Sequence, residues 1–259
     1  MARMGTSPRF ETRFAADEDD VAAAQRLRYD VFVDELGGHG ALIDHEKRLE
    51  RDRFDPFFQH LLLFDRTREA DDQVVGVYRV MTEDGAAAAG QFYSEDEYDL
   101  GPLRRSGRRL LELGRSCVHA DYRGGLAMYE LWNRLAEFVT EEGIEVLFGV
   151  ASFHGTDPAP LGQPLGLLHY RHLAPEELRV RAKEKGRQEM DLLPEEAIDR
   201  RGAMLEIPSL IKAYLRLGGV VGDGAFIDRE FNTTDVCLIL DIAAMNPRQR
   251  AIYARGVDG

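Results

Sequence analysis

The sequence predicts an α/β protein with helices flanking a mixed sheet, and three observations carry that prediction. Short β-rich apolar runs recur along the chain: HLLLF, VVGVYRVMT, LLELGRSCV, EVLFGVASF and DVCLILDIAAM. Two amphipathic helical stretches, Asp17 to Leu36 and Tyr122 to Glu141, lie among these runs rather than after all of them. The chain has 259 residues, 44% of them hydrophobic, which is ample for a core. No apolar run approaches the ~18 residues that a membrane span needs.

Taken in order, RFETRFA alternates weakly and reads as a first strand. The stretch from Asp17 has acids in its first turn and Val21, Ala24, Leu27, Val31 and Leu36 at helical spacing, and Gly37 and Gly38 end it. Residues 40–56 are polar and irregular. HLLLF and VVGVYRVMT, joined by the polar turn DRTREADDQ, read as a hairpin. Alanines and acids fill Thr82 to Asp99, which predicts a surface excursion. Leu110 to Val118 is the next strand. The helix after it puts Leu126, Tyr129, Leu131, Trp132, Leu135 and Phe138 on its apolar side. EVLFGVASF is another buried strand and completes a core half over residues 8–155.

Residues 156–259 are less regular. APLGQPLGLLHYRHL reads as loop plus a short helix, and PSLIKAYLRLGG as a helix with Pro208 at its start and Gly218 just past its end. AFIDREF and DVCLILDIAAM read as strands and NPRQRAIYAR as a terminal helix. With no repeat and no separating linker, residues 8–259 are expected to form a single domain, the C-terminal half packed on the first.

Composition narrows the function. Thirty-three basic against 46 acidic residues give a net charge of −13, which argues against a general nucleic-acid binder. The start, MARMGTSPRFETRF, lacks the apolar stretch of a secretory signal. Cys117 and Cys237 make neither a disulfide framework nor a metal spacing, so a reducing cytoplasm is expected. Charge is uneven, however. Acidic SEDEYD is followed by PLRRSGRRLLELGR, which includes Arg104, Arg105, Arg108 and Arg109, and RVRAKEKGR is a second basic stretch. Such runs form a solvated surface or a docking site for an acidic partner.

Several motifs invite chemistry and have duller explanations. Cys117, His119 and Asp121 alternate along a strand, where a cysteine is usually a small core residue. His154, His169 and His172 lack the framing ligands of a known metal pattern, and no metal is expected. The Ser, His and Asp of SFHGTDP are close in sequence, which is no evidence for a triad. Glu112 and Arg115 are different. Three apart on a strand, they point to opposite faces unless a bulge intervenes, and Gly114 is where a bulge would sit. Charges in a central strand are costly to bury, so they form either an ion pair with Arg79, Asp52 or Asp55, or a functional pair. Gly124 and Gly125 precede a helix, where free N–H groups attract an anion.

Together these segments resemble one family. RYDVFVDELG, RFDPFFQHLLLFD, VVGVYRVM, GQFYSEDEYDL, LELGRSCVHADYR, LFGVASFHGTDP and YLRLGGVVGDGAFIDREFNTTDVCLIL look, in that order, like the bacterial L-ornithine Nα-acyltransferases of ornithine-lipid synthesis. The resemblance covers residues 9–253, and LELGRSCV and EFNTTDVCLIL are its specific segments. The first half is similar, more distantly, to N-acyl-homoserine lactone synthases at Arg28, Phe32, Asp52, Asp55, Arg79, Glu112 and Arg115.

The resemblance implies the GNAT fold, a mixed twisted sheet whose central strands splay around an acyl-thioester arm, with a C-terminal extension. It implies an acyl-carrier-protein donor, a 3-hydroxyacyl chain, ornithine as acceptor, and no cofactor beyond the donor's phosphopantetheine. Glu112 is then the expected general base. Arg28, Phe32, Asp52, Asp55, Arg79 and Arg115 would bind the acceptor, since arginine suits a carboxylate and aspartate an ammonium. Ser116, Cys117, Val118, Arg123, Gly124 and Gly125 would hold the donor arm. Arg104, Arg105, Arg108 and Arg109 would dock the carrier protein. The chain departs from acetyl-CoA users of this fold in one loop: RGGLA is one residue short of their pyrophosphate-wrapping Gln/Arg-x-x-Gly-x-Gly/Ala. That favours a carrier protein, which presents a single phosphodiester. The alternatives are glutamine as acceptor, a homoserine-lactone-type synthase using S-adenosylmethionine, and a silent lipid- or carrier-binding module. A cytoplasmic enzyme is expected, touching the inner membrane surface when it releases an amphiphilic product.

Overall fold

A computed structural model describes residues 7–245. The elements are β1 (Phe10–Phe14), α1 (Glu18–Arg28), a π-helical stretch (Tyr29–Glu35), β2 (Gln59–Asp65), β3 (Val74–Thr82), α2 (Glu83–Ala89), β4 (Tyr98–Asp99) and α3 (Gly101–Arg105). There follow β5 (Leu110–Val118), α4 (Ala127–Glu141), β6 (Val146–His154), α5 (Gly162–His172), β7 (Arg181–Ala182), β8 (Arg187–Gln188), α6 (Arg200–Glu206), α7 (Ser209–Arg216), β9 (Val220–Val221), β10 (Ala225–Asp228) and β11 (Thr233–Asp241). The described residues fall into two compact units, one of residues 7–80 and 114–141, the other of residues 81–113 and 142–245. They are interleaved along the chain rather than meeting at residue 155, and β3 and β5 each pass from one to the other.

In the first unit the strand order is β1-β2-β3-β5. β1 pairs antiparallel with β2, and β2 with β3, as the hairpin pattern predicts. The helix over one face, α1, starts where Asp17 accepts the N–H of Asp20, and its first turn carries Glu18, Asp19 and Asp20 against the helix dipole. Its apolar side, Ala24 and Leu27, packs with Val31, Leu62, Phe64, Val74, Val77 and Cys117. Instead of ending at Arg28, the chain widens into the π-helical stretch and stops at Gly37, whose φ is +72°. Helix α4 packs on β1 and β2, with Leu131 and Leu135 fully buried. Gly76 allows this close packing: a Cβ there would lie 3.0 Å from Leu131 and 3.2 Å from Leu63. The helix begins at Ala127, later than the sequence suggests, so Leu126 precedes it and is 66% exposed, and Tyr129 lies on its solvent side, 52% exposed.

The second unit orders its strands β5-β6-β11-β10-β8, with β9 also on β11. Leu110, Leu111 and Glu112 run parallel to Val146, Leu147 and Phe148, whereas β6 and β11 are antiparallel along their whole length. This makes the sheet mixed. The segment from Thr82 to Asp99 is packed rather than a surface excursion. Phe92, Ser94 and Tyr98 are fully buried, and the Tyr98 hydroxyl donates to the carbonyls of Gly224 and Asp235. The expected terminal helix at NPRQRAIYAR lies outside the described residues.

Candidate active site

In the first unit, α1, the segment after it, β3 and β5 deliver charged side chains to one place. Arg28 is the last residue of α1, Glu50, Asp52 and Asp55 come from the irregular segment, Arg79 sits on β3 and Arg115 on β5. They close a ring of alternating charge. Arg115 Nε lies 3.2 Å from Glu50, which also pairs with Arg28. Arg28 Nη1 is 2.7 Å from Asp55 Oδ1, and Arg79 Nη1 is 2.6 Å from the same oxygen. Arg79 Nη2 is 2.8 Å from Asp52 Oδ2, and Arg115 Nη2 returns to that oxygen at 3.3 Å. Three guanidinium groups and three carboxylates sum to zero, so alternation offsets the desolvation that would forbid any one of them alone.

Neighbouring side chains fix the ring. Gln25 donates to Asp55 Oδ2 at 2.9 Å, the Arg79 guanidinium lies 4.2 Å from the centre of the Phe58 ring, and Arg115 lies 5.8 Å from that of Phe32. Burial alone would raise the carboxyls of Asp52, Asp55 and Glu50, but the adjacent guanidinium groups reverse this and hold all three below the usual range. Beside Asp55, burial pushes His60 down to about 4 against the pull of that carboxylate, so His60 is neutral at pH 7. Its Nε2 donates to the Asp55 carbonyl at 3.2 Å.

The ring contains five of the charged residues singled out in sequence, and Phe32 stands beside it. Glu50 was missed. A glutamate inside HEKRLERDRFD looks solvated, and only the fold reveals that it is 1% exposed. The sequence places a bulge at Gly114, whereas the residue of β5 that takes the left-handed region is Arg115, with φ at +48°. Just before it, the Leu113 carbonyl presses on Gly149 so closely that a Cβ there would be 2.1 Å away.

Glu112 is buried in the second unit. Its Oε2 accepts the N–H of Tyr93 at 2.7 Å, while Oε1 accepts the N–H of Ser94 at 2.6 Å and the Ser94 hydroxyl. Ser94 was likewise invisible in sequence. Of the expected donor residues, Cys117 is a core side chain whose thiol burial pushes up to about 12, which removes it as a nucleophile. Val118 is also buried, and the Ser116 hydroxyl is buried without a hydrogen-bond partner among the described residues. Arg123 donates from Nε to the Val118 carbonyl at 3.0 Å and pairs with Glu35 at 2.8 Å, bracing the turn in which Gly124 takes φ +74°. Gly125 follows with no comparable constraint.

Three arginines of the basic cluster have acidic partners of their own, Arg109 lying 3.7 Å from Glu142. Arg104 pairs with Glu95 at 2.5 Å and Arg108 with Asp241 at 2.5 Å; Arg104, Arg105 and Arg109 are exposed, Arg108 is half-buried. Among the described residues, no group of potential metal ligands includes His154, His169 or His172.

Comparison with known proteins agrees with this architecture. Residues 27–133 match the acetyltransferase (GNAT) domain. Two solved structures share the fold at low identity. One is an N-acyl amino acid synthase from uncultured soil microbes, with a TM-score of 0.52 and 13% identity over 92% of this chain and 93% of that one. The other is the acyl-homoserine lactone synthase LasI, with a TM-score of 0.52 and 15% identity over 96% and 97%. The matched domain and the shared architecture make this a protein of the GNAT fold. Among curated proteins, an L-ornithine Nα-acyltransferase of Rhodobacter capsulatus is 60% identical over 96% of both chains. The protein of the same name from Brucella abortus is 41% identical over 98% of this chain and 90% of its own. The chain belongs to the L-ornithine Nα-acyltransferase family.

Proposed function

We propose that the protein transfers a 3-hydroxyacyl chain from acyl carrier protein to the α-amine of L-ornithine, yielding lyso-ornithine lipid. The observation that carries this reading is the 60% identity, along 96% of both chains, to a relative named for ornithine Nα-acylation. The ring of Arg28, Glu50, Asp55, Arg79, Asp52 and Arg115 supports it, because it gathers in one place the guanidinium and carboxylate groups that suit an amino acid's carboxylate and ammonium.

The α-amine, once deprotonated, attacks the thioester carbonyl carbon. A C–N bond forms, negative charge moves to the carbonyl oxygen, and collapse breaks the C–S bond. The ammonium gives its first proton to solvent before attack, and the second, lost from the tetrahedral nitrogen, ends on the departing pantetheine thiolate. Glu112 is assigned as the base that carries it, with the Ser94 hydroxyl on its Oε1 as relay. Backbone N–H groups around Arg115 in β5 stabilise the oxyanion. Ser116, Cys117 and Val118 contribute strand backbone to the pantetheine arm, and the turn of Arg123, Gly124 and Gly125 lies at its phosphate end. The thiol of Cys117 takes no part.

Exposed Arg105 and Arg109 are the leading contacts for the acidic carrier protein. Among the described residues no helix is long and apolar enough to cross a membrane. The protein works in the cytoplasm on this reading, and the product's amphiphilic character brings it to the membrane surface at release. Lipid mass spectrometry of a bacterial host that lacks ornithine lipids tests the reading. Expression of the chain should produce 3-hydroxyacyl-ornithine, and its absence while soluble, folded protein accumulates would count against the assignment.

A further inference from the structure

The ring raises a question that ornithine binding alone does not answer: a closed, neutral circuit has no free charge to offer. Its six members are not equivalent. Arg28 and Arg79 are fully buried, Glu50 and Asp55 nearly so, whereas Arg115 and Asp52 keep 11% and 17% of their side-chain surface exposed. Solvent therefore reaches the circuit at the edge between these two. That edge is also its longest contact, 3.3 Å. Asp52 Oδ2 lies between two guanidinium groups yet makes no aligned hydrogen bond among the described residues, while Oδ1 is held by the N–H of Phe54 at 2.9 Å. Across the edge, Arg115 has a left-handed backbone, with φ at +48°, and Glu50 grips its Nε from the buried side. One oxygen awaits a better donor, and one guanidinium is anchored on its far face.

We propose that the circuit opens at the Arg115–Asp52 edge and closes again around the acceptor, with the α-carboxylate on Arg115 and the side-chain ammonium on Asp52. This deepens the proposed ornithine reading and rests on it. Inserting one negative and one positive group between Arg115 and Asp52 preserves the alternation, so every buried charge keeps an opposite neighbour. An acceptor with only one of the two charges leaves either Arg115 with Glu50 alone or Asp52 with Arg79 alone, one opposite partner instead of two. The α-amine must be neutral to attack, so it supplies neither charge. Ornithine in its reacting form still carries carboxylate and δ-ammonium. Norvaline, which has the same carbon chain, lacks the ammonium, and putrescine lacks the carboxylate. Glu50 is then a positioning residue: it keeps Arg115 in place while the edge opens.

The test is an acceptor panel with a purified 3-hydroxyacyl carrier-protein donor. Wild-type protein should use ornithine in preference to norvaline and to putrescine by ~10³-fold or more in kcat/KM. Norvaline used as well as ornithine would overturn the inference while leaving the acyltransferase reading intact; no acyl-ornithine at all would instead overturn that reading. Asp52→Asn should lose ~10²-fold on ornithine while norvaline changes little, so that discrimination collapses. An equal loss on both acceptors would reduce Asp52 to a structural role. Asp52→Glu keeps the ring's charge and lengthens the arm by one methylene. It should still reject norvaline but shift preference from ornithine towards 2,4-diaminobutyrate, and an unchanged preference would contradict the proposal. Glu50→Gln should raise the ornithine KM with a smaller effect on kcat, with partial rescue in Glu50→Asp; equal effects on the two constants would remove its positioning role.

Discussion

Both carboxylate oxygens of Glu112 are occupied by donors from Tyr93 and Ser94, and this decides what its substitution does. Glutamine turns one of these acceptors into an NH₂ that faces N–H groups. Glu112→Gln should therefore lower kcat by ~10² or more and flatten the acid limb of its pH profile, as the loss of a general base does. Ser94→Ala should show a milder version of both effects. Near-wild-type turnover in Glu112→Gln would move the base elsewhere. Cys117 is the counter-case: its thiol is buried among α1, β2 and β3 side chains and held far from ionisation. Cys117→Ser should keep most of the activity and lose ~1–3 kcal/mol of stability from burying a hydroxyl. Complete inactivation of a folded Cys117→Ser protein would restore thiol chemistry. His60 adds a pH dependence. Its folded pKa of about 4 lies below the ordinary 6.5 because burial disfavours the cation, so between these values the unfolded chain binds more protons. Stability is thus full above pH 6.5 and falls by about 3 kcal/mol as pH drops to about 4. Urea unfolding across this range should show that slope in the wild type and a shallower one in His60→Gln, the remainder coming from His172, also lowered by burial, and at the acid end from the ring carboxylates.

At the level of elements, β5 is the strand on which the assignments meet, carrying Glu112 and Arg115. Its contact with β6 depends on Gly149, where a Cβ would meet the Leu113 carbonyl at 2.1 Å. Gly149→Ala should cost ~1–3 kcal/mol in thermal or urea unfolding, because neither strand backbone can retreat without breaking its ladder. An unchanged midpoint would mean that β5 shifts freely. Runs such as VVGVYRVMT and DVCLILDIAAM announced their strands because apolar, β-branched segments bounded by polar turns have few other uses. The packing of residues 82–99 was not legible. Phe92, Ser94 and Tyr98 follow neither helical nor strand spacing, and their partners are more than a hundred residues away in the case of Tyr98. The ring was half legible: residue types and the family resemblance pointed to five members, but Glu50 gains its meaning only from burial beside Arg28. The π-helical widening after Arg28 had no signal in the helical pattern either.

For the whole molecule, a net charge of −13 repels an acidic partner unless positive charge is concentrated locally. Arg104 and Arg108 pair closely with Glu95 and Asp241 and Arg109 more loosely, at 3.7 Å, with Glu142, so exposed Arg105 and Arg109 are the members held least tightly. Reversing both to glutamate should raise the carrier-protein KM and flatten its salt dependence, because steering by exposed charge is screened over ~8 Å at physiological ionic strength. Unchanged kinetics would make the cluster ordinary surface. The central claim is acyl transfer to the α-amine of ornithine, and competition tests it most directly. Purified protein would receive one 3-hydroxyacyl carrier-protein donor with equal ornithine and glutamine, and the products would be resolved by tandem mass spectrometry. The prediction is almost exclusively acyl-ornithine with the amide on the α-nitrogen. Predominant acyl-glutamine, or acylation at the δ-nitrogen, would contradict it.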